Sequence, residues 1–314
     1  MNYELLRKLC ATPSTAGDEG EMAQFILKYL CDNNKSFKTT PQVFSGAGFQ
    51  DMVIAVFGEP RTAIFAHTDT VAYCTAHDNE LVKIGNPKAE DGTELEGYVN
   101  GKLEKAVLKI KKKGKKGDKN AEETLTYSSD ANFDLGTPLS YVPDWKETKQ
   151  FVKSAYMDNR LGVWNALQQA HTMEHGAIVF STYEEHGGGG AQFAGRFLQE
   201  NFGIQQALIS DVTLLTKHVR HKKGVVISMR DRGIPRQSYV RRIIAIAEKH
   251  GIPHQLEVEK AGGSDGNALQ DSSYAWDWCF IGPVEDNYHC PGEKVAKVDI
   301  EATVKLYAAL IEEL

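Results

Sequence analysis

Thr62-Ala63-Ile64-Phe65-Ala66-His67-Thr68-Asp69 is a short apolar run that ends abruptly on an imidazole and a carboxylate. An unbroken run of this length, bounded by Gly58 and Pro60 on one side and polar residues on the other, predicts a strand buried on both faces. Val53 to Phe57 predicts a second such strand just before it. Further along, Ala177 to Thr182, Ala207 to Ile209, Val225 to Ser228 and Trp276 to Ile281 repeat the pattern. Between them, helical spacing runs through Leu161 to Met173, Ala191 to Phe202, Pro235 to His250 and Asp299 to Glu313. A first amphipathic helix starts at Glu19, with Met22, Phe25, Ile26, Tyr29 and Leu30 on one face. Such alternation predicts an α/β fold, a mixed central sheet with helices on both faces.

The texture changes between Val71 and Val152, where glycines, lysines and short alternating segments replace helical periods. A structureless loop of that length is improbable inside a compact domain. The expectation is therefore a catalytic α/β domain made of residues 1–70 and 153–314, with 71–152 as a small inserted β-rich domain that folds on its own and leaves the chemistry outside it.

The remaining composition narrows the function. With 41% hydrophobic and 25% charged residues in 314, the chain belongs with globular proteins rather than disordered or fibrous ones. Its longest apolar stretches fall far short of the roughly 20 residues that cross a bilayer. Met1-Asn2-Tyr3-Glu4 lacks the basic start of a secretory signal, so no membrane partner and a cytoplasmic location are expected. Cys10, Cys31, Cys74, Cys279 and Cys290 are scattered without a CxxC pair and read as reduced thiols. Net charge is −6, yet Lys102 to Lys119 holds nine lysines against Glu104 and Asp118. Without interleaved arginines or aromatics that run predicts a solvated hairpin or loop, and no nucleic-acid partner.

Ligands of open α/β sheets gather at the carboxyl ends of strands, and here those ends carry metal-ligand residue types. His67-Thr68-Asp69 follows one strand, Tyr183-Glu184-Glu185-His186 another, Ser210-Asp211 a third, and His289 comes after the Trp276 to Ile281 strand. Alternate residues of extended chain share a face, so Asp69 can orient His67 while the imidazole ligates. Glu184 and Glu185 are neighbours that point different ways, which lets one ligate while the other acts as base. Asp158, at the start of a helix, reads either as an N-cap or as a carboxylate bridging two cations. Jointly, His67, Asp158, Glu185, Asp211 and His289 give two imidazoles and three carboxylates, a set suited to two divalent ions per chain, zinc first with cobalt or manganese as alternatives. Glu184 then remains to take a proton from water in metal-assisted hydrolysis.

Thr12-Pro13-Ser14-Thr15-Ala16-Gly17-Asp18-Glu19, Asp51-Met52-Val53-Ile54-Ala55, His67-Thr68-Asp69, Met157-Asp158-Asn159-Arg160, Tyr183-Glu184-Glu185-His186-Gly187, Asp211-Val212-Thr213, Gly262-Gly263-Ser264-Asp265-Gly266 and Tyr288-His289-Cys290-Pro291-Gly292-Glu293 together resemble the dinuclear-metal aminopeptidases of the tetrahedral, glutamyl or deblocking type. The resemblance extends more loosely to zinc carboxypeptidases and acylases. It implies a zinc-peptidase fold, a peptide substrate, Asp158 bridging the metals, His67 and Asp211 completing one site, Glu185 and His289 the other, and Glu184 as general base. It also implies homo-oligomers, with the inserted β domain used in subunit contacts.

Insertion placement separates the two groups of relatives. In the carboxypeptidase and acylase group the second domain falls between the fourth and last ligands, but here 78 residues separate Asp211 from His289 and 91 separate His67 from Asp158. The alternative within the resemblance is an amidohydrolase acting on dipeptides or N-acyl amino acids. A different class is offered by Gly262-Gly263-Ser264-Asp265-Gly266, a formal GxSxG with Asp277 or Asp286 and then His289 downstream. Its preceding segment, Gln255 to Lys260, alternates with charges and predicts an edge strand rather than the apolar strand of a nucleophile elbow. A relative that has lost catalysis and only binds is the third reading; all six metal and base positions being chemically competent argues against it.

Overall fold

The structure is a computed structural model that describes residues 1–113, 122–260 and 262–314. At its centre lies an eight-stranded mixed sheet in the order Gln42–Phe44, Val53–Phe57, Gly176–Ser181, Thr62–His67, Gln206–Ser210, Asp277–Gly282, Val225–Arg230 and His254–Val258. The four strands from Gly176–Ser181 to Asp277–Gly282 are mutually parallel. His67, Glu184, Glu185 and Asp211 therefore emerge along a single edge of the sheet.

Successive side chains of these strands divide between two cores. Ala55, Ile64, Ala66, Ile178, Phe180 and Leu208 pack with helices Glu4–Cys10, Gly20–Asn33, Met157–Ala170, Gln237–Lys249 and Lys297–Glu313. Ile54, Val56, Phe65, Val179 and Ile209 pack with helices Gly190–Phe202 and Asp265–Gln270. Helices thus cover both faces, which is why the central strands read as continuous apolar runs. His254–Val258 sits at the sheet edge, where Leu256 and Val258 face solvent.

A second, five-stranded sheet runs Lys146–Glu147, Phe151–Ser154, Glu293–Ala296, Val284–Asp286 and Thr213–Leu214. It brings the segment before Asp158 beside the segments that flank His289. His289 consequently does not follow the Asp277–Gly282 strand directly: a short strand of the second sheet intervenes. Six further strands between Ala72 and Tyr141 form a third sheet, ordered Leu81–Ile84, Ala72–Thr75, Pro138–Tyr141, Glu94–Val99, Lys102–Lys113 and Glu122–Ser128. Lys102–Lys113 pairs antiparallel with Glu122–Ser128, Ala106 and Leu108 buried and Lys102, Lys105, Lys109, Lys111 and Lys112 exposed. Residues 114–119 of the lysine run lie outside the described residues.

Arg160 ties three elements together. Its fully buried guanidinium donates to the carbonyls of Leu9 at 3.1 Å and Thr12 at 3.2 Å, and to that of Thr68. Charge-assisted bonds to backbone acceptors make up for its desolvation and fix the turn that follows His67.

Candidate metal centre

Two clusters of potential ligands share a single carboxylate. One consists of His67, Asp158 and Asp211, the other of Asp158, Glu185 and His289, and within each the ligand atoms lie within 4.8 Å of one another. His67 Nε2 stands 3.2 Å from Asp158 Oδ1 and 3.6 Å from Asp211 Oδ2. His289 Nε2 stands 3.3 Å from Asp158 Oδ2 and 3.2 Å from Glu185 Oε2. Asp158 therefore turns one oxygen to each cluster. It caps no helix: Asp158 and Asn159 are non-helical, and the side chain that caps the following turn is Asn159, whose Oδ1 accepts the Gly162 N–H at 2.9 Å. Glu184 belongs to neither cluster and reaches to 4.0 Å from His67 Nε2.

Both imidazoles are oriented by backbone carbonyls. His67 Nδ1 is 3.1 Å from the Asp69 carbonyl, and the nearest Asp69 carboxylate oxygen lies farther off at 3.5 Å. The Asp69 carboxylate also accepts the backbone N–H groups of Glu184 at 3.0 Å and Glu185 at 2.9 Å. The turn it holds is conformationally costly, because Tyr183 is left-handed with φ 64° and Gly187, Gly188 and Gly189 all have positive φ. Glu19, buried at the start of the first long helix, steadies the same turn by accepting the Tyr183 N–H at 3.1 Å. Asp69→Asn replaces one acceptor oxygen by an amide NH2 donor that faces a backbone N–H. The expected outcome is a 10- to 100-fold lower kcat, the range typical of outer-shell partners, with KM changed less than threefold in steady-state peptide hydrolysis.

His289 is held from the 71–152 stretch. Its Nδ1 is 3.1 Å from the Asn86 carbonyl, its own carbonyl accepts the Lys88 N–H at 2.9 Å and the Tyr141 hydroxyl at 3.0 Å, and Gly85 N–H donates to His186 Nδ1 at 3.1 Å. Backbone of that stretch thus reaches the site although none of its side chains joins the two clusters.

The donor set fits divalent cations. Six carboxylates, from Asp158, Glu184, Glu185, Asp211, Glu285 and Glu293, gather around two imidazoles. Asp158 Oδ1, Glu185 Oε1 and both Glu285 oxygens are buried without a hydrogen-bond partner. So many enclosed negative groups call for more positive charge than two histidines carry. Burial and the adjacent Asp158 push Glu185 up to about 7 against the pull of His289, while burial raises Asp211 to about 6 against His67. For the imidazoles burial works downward, yet Asp158 and Glu185 outweigh it and lift His289 to about 11, and Asp211 with Asp158 lifts His67 well above its usual value. Glu293, whose Oε2 accepts the Asp158 N–H at 3.2 Å, positions the shared carboxylate.

Ser264 is no nucleophile in this arrangement. It is the N-cap of Asp265–Gln270 in a capping box with Asn267, its hydroxyl is engaged with Gly266 N–H and Asp231, and His289 is turned to Asp158 and Glu185. The metal cluster opens onto a cleft of about 470 Å³ whose farther wall includes Thr213, Ser228, Asp231, Glu257, Glu259 and Ser264.

Residues 120–306 match the family described as M42 glutamyl aminopeptidase. Among solved structures, an aminopeptidase of the archaeon Desulfurococcus kamchatkensis superposes with a TM-score of 0.85 at 19% identity, over 99% of this chain and 94% of its own. A TET aminopeptidase from a marine-sediment Thaumarchaeota archaeon gives 0.84 at 17% identity, over 99% and 96%. The TET1 peptidase of Pyrococcus horikoshii, described as assembling into a tetrahedron or a large octahedral shell, gives 0.78 at 20% identity, over 99% of both chains.

Proposed function

This chain belongs to the M42 glutamyl aminopeptidase family and is a metal-dependent aminopeptidase; on that premise we propose that it works through two divalent ions, zinc or alternatively cobalt or manganese, with Glu184 as general base. The observation that carries this reading is the sharing of Asp158 between two ligand clusters. In it, His67 and Asp211 hold one ion, Glu185 and His289 the other, and Asp158 both. When bound, such ions polarise the scissile carbonyl and lower the pKa of the attacking water. Glu184, 4.0 Å from His67 Nε2 and outside both clusters, takes the proton of that water and returns it to the leaving amine. Asp69 keeps Glu184 and Glu185 in register through their backbone N–H groups.

Elemental analysis combined with hydrolysis of free-amine and N-acetylated peptides tests the reading. Two metals per chain, and chelator-sensitive cleavage confined to free-amine peptides, are expected. Cleavage of the acylated substrates would move the chain to the acylase-like alternative, and metal-independent cleavage would refute the dinuclear mechanism.

The proposal extends to assembly and location. The division into a catalytic body of residues 1–70 and 153–314 and an inserted domain of 71–152, with the latter in contacts between copies of this chain, is supported by the separate six-stranded sheet and by the shell assembly of the Pyrococcus horikoshii relative. No helix among the described residues is long and apolar enough to cross a membrane, and the cytoplasm is the proposed site of action.

A further inference from the structure

We infer that the cleft beside the metal centre selects a cationic N-terminal side chain, lysine or arginine, and that Glu257 is the group that meets its charge. The inference rests on the aminopeptidase reading and adds the substrate class to it. The family's description names a glutamyl preference, and the cleft of this chain carries the opposite electrostatics.

The argument starts from the strand pair at the sheet edge. Ser228 and Glu257 are neighbours in the parallel register of Val225–Arg230 and His254–Val258, and both are buried on the cleft side. Glu257 Oε1 accepts the Thr213 hydroxyl at 2.6 Å, and its second oxygen makes no hydrogen bond among the described residues. Ser228 lies close enough to Glu257 to ease its ionisation slightly, but its Oγ is buried without a partner at hydrogen-bond geometry. A free carboxylate oxygen beside an unpartnered hydroxyl, both at the wall of a cleft, is an incomplete site. An ammonium group, with three donors and no acceptor, completes it.

The other acidic groups of the wall divide into those already engaged and those that add field. Asp231 accepts the Gly233 N–H at 2.6 Å, the Asn267 amide at 2.9 Å and the Ser264 hydroxyl at 3.3 Å, and Asp265 accepts the Ser181 hydroxyl. Glu259 stands half-exposed on the same wall and Asp271 at the rim. Among the described residues Arg232 is the arginine or lysine of the cleft wall, apart from the two imidazoles of the ligand clusters; it is exposed at the mouth and makes no ion pair with Glu257 or Glu259. Burial, with the neighbouring Glu259 and Asp231, pushes Glu257 up to about 7 against the Thr213 and Ser228 hydroxyls. A lysine or arginine side chain would supply a cation beside it.

Reach is consistent. Thr213, which holds Glu257, follows Asp211 by two residues, and extended chain advances about 3.3 Å per residue. Glu257 is thus tied, through Thr213, to chain close to Asp211, in the same cleft as the ligand clusters where the scissile bond must lie. An acidic N-terminal side chain placed in the same cleft would meet Glu257, Glu259 and Asp231 instead.

The test uses the metal-loaded full chain with lysyl, arginyl, leucyl and glutamyl 4-nitroanilides, and in parallel the thermal shift produced by L-lysine against its uncharged near-isostere L-norleucine. Expected are kcat/KM values at least tenfold higher for lysyl and arginyl than for leucyl and glutamyl substrates, and a larger shift with lysine. Glu257→Gln, isosteric and able to keep the Thr213 bond, should bring the lysyl to leucyl ratio near one, mainly through KM. Glu259→Lys, at a half-exposed position where folding is not at stake, should lower the ratio as well. A leucyl or glutamyl preference, or a ratio untouched by both substitutions, overturns the inference while leaving the aminopeptidase intact. If no free-amine substrate is cleaved the aminopeptidase mechanism fails, and lysine binding no tighter than norleucine would then overturn the cation site separately.

Discussion

Glu184→Gln should lower kcat for peptide hydrolysis by about 10²- to 10⁴-fold, the usual worth of a positioned proton acceptor, while metal content stays that of the wild type. Both halves of this result follow from geometry. Glu184 lies in neither ligand cluster, so its amide counterpart removes no ligand. Its backbone N–H remains bonded to Asp69, so the turn bearing Glu185 keeps its place. What disappears is the capacity to accept a proton. Burial raises the Glu184 pKa well above its ordinary value, and the nearby Glu185 and Asp211 add to that against His67; a carboxylate so placed is a stronger base once ionised. The measurements are single-turnover hydrolysis and elemental analysis on the same preparation. Activity above a tenth of wild type would remove Glu184 as base, and loss of metal would make it a ligand instead.

Why the residues of this centre could be found in the sequence, and others could not, has a physical cause. A strand buried on both faces must be apolar throughout, so the first polar residue after it stands out; His67, Glu184, Glu185 and Asp211 are legible for that reason, and so is the mixed central sheet with helices on both faces. His289 was visible only as a histidine downstream, because the intervening Val284–Asp286 strand has three residues and no period to read. The second sheet stayed hidden altogether: its strands are two to four residues long and join segments far apart in sequence. Asp158 read equally well as a cap, since the same carboxylate at a helix start serves either purpose; only the nearby capping by Asn159 separates the two.

Contacts made by backbone leave no trace in residue type. Asn86 holds His289 through its carbonyl, and Lys88 through its N–H, so the 71–152 stretch looked uninvolved. Asp69 meets His67 Nδ1 with its carbonyl at 3.1 Å and its carboxylate at 3.5 Å, and the carboxylate has a second task that spacing does not announce, holding the Glu184 and Glu185 turn. Glu19, Arg160 and Glu293 lie within the motifs, yet their partners are backbone groups distant in sequence, and spacing alone offered no role for them. Gly262-Gly263-Ser264-Asp265-Gly266 satisfies the nucleophile-elbow pattern because a serine capping the six-residue helix Asp265–Gln270 fits the same short spacing.

Comparison of Asp158→Ala with Asp211→Ala separates a shared ligand from an unshared one. Asp158 turns Oδ1 toward His67 and Oδ2 toward His289, and both clusters are incomplete without it. Its substitution should therefore empty both sites, leaving well under one metal per chain after dialysis and reducing kcat/KM by 10³-fold or more. Asp211 belongs to one cluster, and Asp211→Ala should retain about one metal, held by Asp158, Glu185 and His289. The two variants remove carboxylates of similar burial, so a general loss of negative charge would affect them alike; the difference in stoichiometry is what a bridge requires. Removing Asp158 also takes away a carboxylate partner of both imidazoles, 3.2 Å from His67 Nε2 and 3.3 Å from His289 Nε2. Loss of both metals from Asp158→Ala and of one from Asp211→Ala, in preparations whose circular dichroism matches the wild type, establishes the bridge. Equal stoichiometry in the two variants would mean that the clusters act as a single site and that the chemistry runs on one ion.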